Sequence, residues 1–402
     1  MAGSGLGTRI AAYRRRRGLS QAALAGLVGR SESWLSQVER GVRSVDRLSV
    51  LLDLARVLHV DVQALTGRPW QYAPNGSTLA GGLTSVRQAL TGYDGLLGQE
   101  PPGPVELPEL RARVAETHRL YQAARYDQVI AMLPAVLLAV EGFPGRHNGQ
   151  RRESLLAYVS AYVAAAKLVT KLGASDLAIL AADRAANAAV DAESLSARGM
   201  AGYQVVCALL RADQLDDAER IAVQLAGELT GSARSDEPAL VSVAGALWLI
   251  AAIIAARKTD RGEAWQRLDR AETLAGLLGQ DGNHAWTGFG PTNVAIHRVS
   301  VAAELGDVGE ALHAATAVDQ DRLPPGLLSR RAQVNLDLAW AQAQRRRDAE
   351  ATLHLLEAER IAPQVIRHNV IAQEIVREML ARGSRRQTTA LNMLAQRAGL
   401  LE

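Results

Sequence analysis

Residues 18–41, GLSQAALAGLVGRSESWLSQVERG, hold two short helical patterns around a tight turn, and few folds accept that arrangement. Ser20 and Ser31 stand where helix N-caps belong, because a serine hydroxyl accepts from a backbone N–H in the first turn. Gly41 stands where a C-cap belongs. The caps predict helices over Ser20–Leu27 and Ser31–Glu39, joined by Leu27-Val28-Gly29-Arg30. Leu24, Val28, Leu35 and Val38 fall on the inner side, and Ala25 is small enough for the helices to approach closely. Glu32, Ser33, Ser36, Gln37 and Arg40 are left facing outward, with Trp34 about 100° round from Leu35, at the core's edge.

This string resembles the helix-turn-helix of the phage-repressor/Cro (XRE-type) family, over roughly residues 8–66. The resemblance implies that the second helix lies in the DNA major groove. Glu32, Ser33, Ser36 and Gln37 would then contact bases, and Gln21, Ser31, Arg40 and Arg43 phosphates. A glutamine can pair twice with adenine, and a glutamate can accept from a cytosine amino group. Charge points the same way. Residues 1–70 carry eleven Arg against five acids, a balance of +6, leaving −3 for the rest of a chain of net charge +3. An amphipathic helix at Val45–His59 and a short turn at Val62–Thr66 complete a five-helix domain over residues 1–66.

The remainder of the 402 residues is expected to be a second domain. Residues 67–82 are rich in Gly and Pro, and 99–108 hold four prolines, so 67–108 reads as a linker carrying a packed helix near Ser85–Leu97. From 109 to 402 apolar and polar residues never alternate for long, which excludes strands and predicts an all-α fold. A polar turn followed by an Ala-rich helix recurs at Arg125-Tyr126-Asp127, Asp213–Ala218, Thr259–Ala264, Leu305–Ala311 and Arg347–Ala351. This resembles the tetratricopeptide (TPR) family, with armadillo/HEAT-type pairs as the alternative. Stacked helix pairs of either kind offer a concave face. Ala239–Ala256 is uncharged over eighteen residues, long enough for a membrane span. Its Ala and Gly content and its amphipathic neighbours instead predict a helix buried inside the array, with no membrane partner.

No Walker loop, His-Glu-x-x-His, Gly-x-Ser-x-Gly or cysteine pair is present, so no enzyme activity, metal or cofactor is expected. The single Cys207 reads as a small buried hydrophobe. No secretion leader is visible, which predicts a cytoplasmic protein. Forty-two of the forty-five basic residues are Arg, a bias suggesting a GC-rich, actinomycete-type genome. The most unusual stretch is Gly279–Arg298, where His284, Trp286, Phe289, Asn293 and His297 interrupt the Ala/Leu monotony. These five form a candidate effector pocket; the other reading is a loop whose Trp286 and Phe289 plug a repeat interface. Trp248 and Trp265 would line the same concavity or fill the helical core. An XRE-type reader joined to a TPR-like array resembles the peptide- or metabolite-responsive regulators of Gram-positive bacteria. That resemblance implies a homodimer on an imperfect palindrome of double-stranded DNA, responding to a small molecule or peptide. The alternative is a constitutive regulator whose array is a dimerisation or protein-interaction scaffold.

Overall fold

The computed structural model describes residues 6–16, 19–43, 45, 48–58, 60, 65, 78–93, 106–142, 150–382 and 389–401. Every regular element among them is helical. The chain divides into two units, Met1–Asn75 and Gly76–Glu402. Most of the expected Val62–Thr66 turn, and most of the Pro/Gly-rich stretches at 67–82 and 99–108, lie outside the described residues.

In the first unit four helices, α1 (Leu6–Arg16), α2 (Gln21–Leu27), α3 (Glu32–Glu39) and α4 (Leu48–Leu58), enclose a core of Ile10, Leu24, Ala25, Leu35, Val38, Leu54 and Leu58. Ser20 and Ser31 cap α2 and α3, accepting from the Ala23 and Trp34 N–H groups. Gly29 takes the left-handed conformation the turn needs, and the Arg30 N–H closes it on the Ala25 carbonyl at 2.8 Å. A position that the sequence pattern did not single out fixes the packing of α1. A Cβ on Gly7 would stand 2.0 Å from the Val38 carbonyl oxygen, so only glycine lets α1 lie against the end of α3.

Among its described residues the second unit holds an array of six helix pairs, with further helices at either end. The pairs are Leu107–Gln122 with Tyr126–Glu141, Arg151–Lys171 with Ser175–Asp191, and Leu195–Arg211 with Leu215–Ser232; then Pro238–Arg257 with Arg261–Leu278, Pro291–Glu304 with Val308–Thr316, and Leu328–Gln344 with Asp348–Ile361. All six hairpins use one turn. A left-handed residue (Ala124, Gly173, Asp213, Thr259, Gly306 or Arg346) stands two positions before the second helix. The next N–H reaches back to the carbonyl five residues earlier, as in Arg125 to Leu120 and Asp307 to Ala302. Five of these turns are the recurring polar segments seen in the sequence; the sixth, at Gly173, was not recognised. Buried alanines such as Ala218, Ala222 and Ala226 line the second helices and let neighbours pack closely. Helix Thr78–Thr91, starting earlier than expected, packs on Tyr126–Glu141, with a Cβ at Gly82 only 2.2 Å from Ile130. The apolar helix Pro238–Arg257 is almost wholly buried among its neighbours.

The array closes on itself. One continuous core joins the first pairs to the last helices, Val365–His368, Val370–Ala381 and Thr389–Arg397, uniting Leu133 and Tyr162 with Leu336, Val365 and Ile375. At the seam the Asp127 N–H donates to Gln364 Oε1 at 3.0 Å, and His368 Nε2 lies 3.0 Å from an Asp127 carboxylate oxygen. His368 also meets the edge of the Tyr126 ring.

The packing of α1 yields a test. Gly7→Ala should push α1 off the α3 carbonyls at a cost of about 1–3 kcal/mol. Amide exchange in α3 should accelerate while exchange in Pro238–Arg257 stays unchanged; unaltered α3 protection would contradict this packing.

Candidate nucleic-acid interface and central cavity

Helix α3 is anchored from below by one carboxylate. Arg14 of α1 grips Glu39 with both arms, at 2.6 and 2.9 Å, and Gln21 of α2 donates to Glu39 Oε2 at 2.7 Å. Burial pushes the Glu39 carboxyl up, but the Arg14 and Gln21 hydrogen bonds outweigh it and hold the group below the usual carboxylate range. Gln21 is therefore placed differently from its expected role, since its amide is engaged inside the domain rather than offered to a phosphate. Ser31, Glu32, Ser33 and Arg40 are exposed, and Ser36 and Gln37 are half-buried beside them. Arg43 is exposed just beyond, where the Val42 and Arg43 N–H groups both bond the Gln37 carbonyl. Trp34 packs at the core's edge with the Arg30 guanidinium 5.8 Å from its ring centre.

In the second unit the first helices of the pairs surround a central cavity of about 270 Å3. One wall is the loop that the sequence singled out. Trp286 stacks on His118, ring centres 4.8 Å apart, and its carbonyl accepts from Lys167 Nζ at 2.9 Å. Asn283 exchanges two hydrogen bonds with Gln122, at 2.8 and 2.9 Å. Ala285 and Trp286 both adopt positive φ, a strained path held by these contacts. The loop thus straps across the interior to the first pair.

Of the five expected pocket residues, Trp286, Asn293 and His297 line this cavity. Phe289 does not, and corrects the expectation. It is fully buried, with its ring in a notch where a Cβ on Gly245 would stand 2.0 Å away, so it plugs a helix interface as the other reading held. His284 is exposed and outside the lining. Trp248 fills the helical core, its indole N–H donating to Thr230 Oγ1 at 2.9 Å. Trp265 is half-buried against its neighbours, away from the cavity. Cys207 is a half-buried wall residue rather than a core filler, its thiol pushed up to about 11 by burial.

The cavity's charge was missed altogether. Lys167 and Lys171 on one helix, Arg211 on another and Arg330 on a third line it, together with Tyr121 and Tyr203, and among the described residues no carboxylate does. Burial, reinforced by the Arg330 charge, lowers both lysines to about 8. Burial also lowers His297 to about 3, so it stays neutral, its Nδ1 2.9 Å from the Asn293 carbonyl oxygen. A signal was present in the sequence: two of only three lysines sit four residues apart in the apolar run Ala161–Leu172.

The lowered lysines give a pH test. Between about 8 and the ordinary 10.5 the unfolded chain keeps a proton that folded Lys171 has lost, so its penalty is full below about 8 and fades as pH rises. Lys171→Met should therefore have a higher Tm than the parent near pH 7, with the gap narrowing near pH 9.5. The tyrosines and Cys207 are common to both proteins and cancel. A variant less stable near pH 7, or a gap independent of pH, would contradict this electrostatic picture.

Residues 6–66 match the family model of a helix-turn-helix domain. No curated protein and no solved structure matches the chain significantly. The chain thus carries an N-terminal helix-turn-helix domain followed by an array of helix pairs.

Proposed function

We propose that the chain is a cytoplasmic, sequence-specific DNA-binding transcriptional regulator whose TPR-like array senses a small molecule. The observation that carries the DNA reading is α3 itself. It is capped at its start and locked from within through Glu39, and it presents Ser33, Glu32, Ser36 and Gln37 on the face away from the core. That arrangement supports a helix laid in the major groove, with Gln37 and Glu32 reading base edges and Ser31, Arg40 and Arg43 holding phosphates. One such helix reads only a half-site. The protein is therefore taken to act as a homodimer on an imperfect palindrome whose half-sites lie about one helical turn apart. The array's cavity is of a size for a small ligand, which favours an effector over a scaffold for folded partners. This reading assigns the chain no catalysis, cofactor or metal.

Two substitutions separate base reading from phosphate holding. Gln37→Ala should relax preference at one operator position and cost about 1–3 kcal/mol on the specific site. Arg43→Ala should weaken binding to all sequences alike and reduce the salt slope by about 1. Both are read by fluorescence anisotropy on a selected operator and a scrambled duplex. If Gln37→Ala alters neither affinity nor preference, α3 does not read DNA in this register.

A further inference from the structure

We propose that the central cavity is an anion site, built for a small molecule that joins one acidic group to an apolar body of aromatic size. Lys167, Lys171, Arg211 and Arg330 would meet the acid, while Tyr203 and Trp286 flank the body.

The argument rests on a missing counter-charge. Elsewhere the array pairs several of its less exposed cations with acids. Arg267 is paired with Glu219 at 2.7 Å and Glu263 at 3.1 Å, Arg257 with Glu304 at 2.9 Å, and Arg382 with Asp348 at 2.8 Å. The four cavity cations come from three different helices, and none has a carboxylate within 4.0 Å among the described residues. Two acids act on the set from beyond ion-pair distance, Asp337 on Lys171 and Arg330, and Glu374 on Arg211. Like charges gathered in a partly dry space without a partner are costly, and such a cost is retained where a ligand supplies the missing charge. Two further groups lack partners. Thr170 and Asn293 are lining residues, and their Oγ1 and Oδ1 atoms are buried without a hydrogen bond in the folded chain. Part of the wall is apolar or aromatic, with Val163, Met200, Val243, Leu249 and the indole of Trp286, set among the polar side chains of Gln122, Gln204, Gln333 and Asn369. A free inorganic ion would satisfy the charge but leave this surface unfilled.

The inference deepens the effector reading and rests on it, but its test needs no DNA, so the two can fail separately. The probe is 8-anilinonaphthalene-1-sulfonate, titrated by fluorescence into the full DNA-free chain. It should bind once per chain. 1-Naphthoate or 1-naphthyl phosphate should displace it at least about tenfold more tightly than 1-naphthol, a neutral body of similar size, and (1-naphthylmethyl)amine should not compete. The stronger of the two acids tells a carboxylate effector from a phosphate one. Lys171→Met and Arg330→Met should each weaken the probe about tenfold or more while helicity is retained. Lys258→Met, which removes the third lysine from its pairs with Asp216 and Glu219 outside the cavity, should leave probe affinity unchanged. Absence of probe binding, equal competition by 1-naphthol, or full affinity in both cavity variants would overturn the proposal. If the site holds but saturating 1-naphthoate and 1-naphthyl phosphate leave operator affinity unaltered, the regulatory reading fails instead.

Discussion

The contact between Asp127, Gln364 and His368 is where the last helices of the array meet the first pair, and the interior owes its character to that meeting. An open stack of helix pairs would expose its concave side to water, and lysines there would be solvated and ordinary. Closure joins Leu133 and Tyr162 to Val365 and Ile375 in one core. It turns a groove into a cavity and takes Lys167, Lys171, Arg211 and Arg330 partly out of water together. In that setting their mutual repulsion is poorly screened. The fold tolerates this because the surrounding Ala-rich packing is extensive, and because the charge is spread over three helices.

The strap from Asn283 to Phe289 completes the enclosure from the other side. Phe289 fixes one end in the Gly245 notch, while Trp286 fixes the other on His118 and Lys167. Lys167 thus belongs both to the strap and to the cationic set. Neutralising it with a ligand would alter the strength with which it holds the Trp286 carbonyl. A change of occupancy would thereby be coupled to Ala285 and Trp286, the strained backbone that lines the cavity among the described residues.

Much of this was legible in the sequence wherever the determinants are local. The caps at Ser20 and Ser31, the left-handed Gly29 and the inner face of Leu24, Leu35 and Val38 follow from short-range rules, and the structure places them accordingly. Five of the six hairpin turns announced themselves by polar residues. The turn at Gly173, Leu172-Gly173-Ala174-Ser175-Asp176, carries its acid three residues on, as Asp127 follows Ala124, but a long Ala-rich stretch hides it. What could not be read depends on contacts between residues far apart in the chain. Gly7 against Val38, Gln21 turned toward Glu39, and Phe289 seated on Gly245 each need the tertiary arrangement. The loop at 279–298 was singled out for its aromatics. Local composition nevertheless could not say that Trp286 would face a cavity while Phe289 sealed a helix interface.

The account's central claim is that the ligand of this protein sits inside the closed array, among the unpaired cations and beneath the strap. Hydrogen–deuterium exchange on the full chain, with and without saturating 8-anilinonaphthalene-1-sulfonate, tests it most directly. The account predicts slowed exchange at residues 283–289, and in the cavity-facing parts of Arg151–Lys171 and Leu328–Gln344, with the outer helices unaffected. Protection confined to the outer helices or to the N-terminal unit would contradict it.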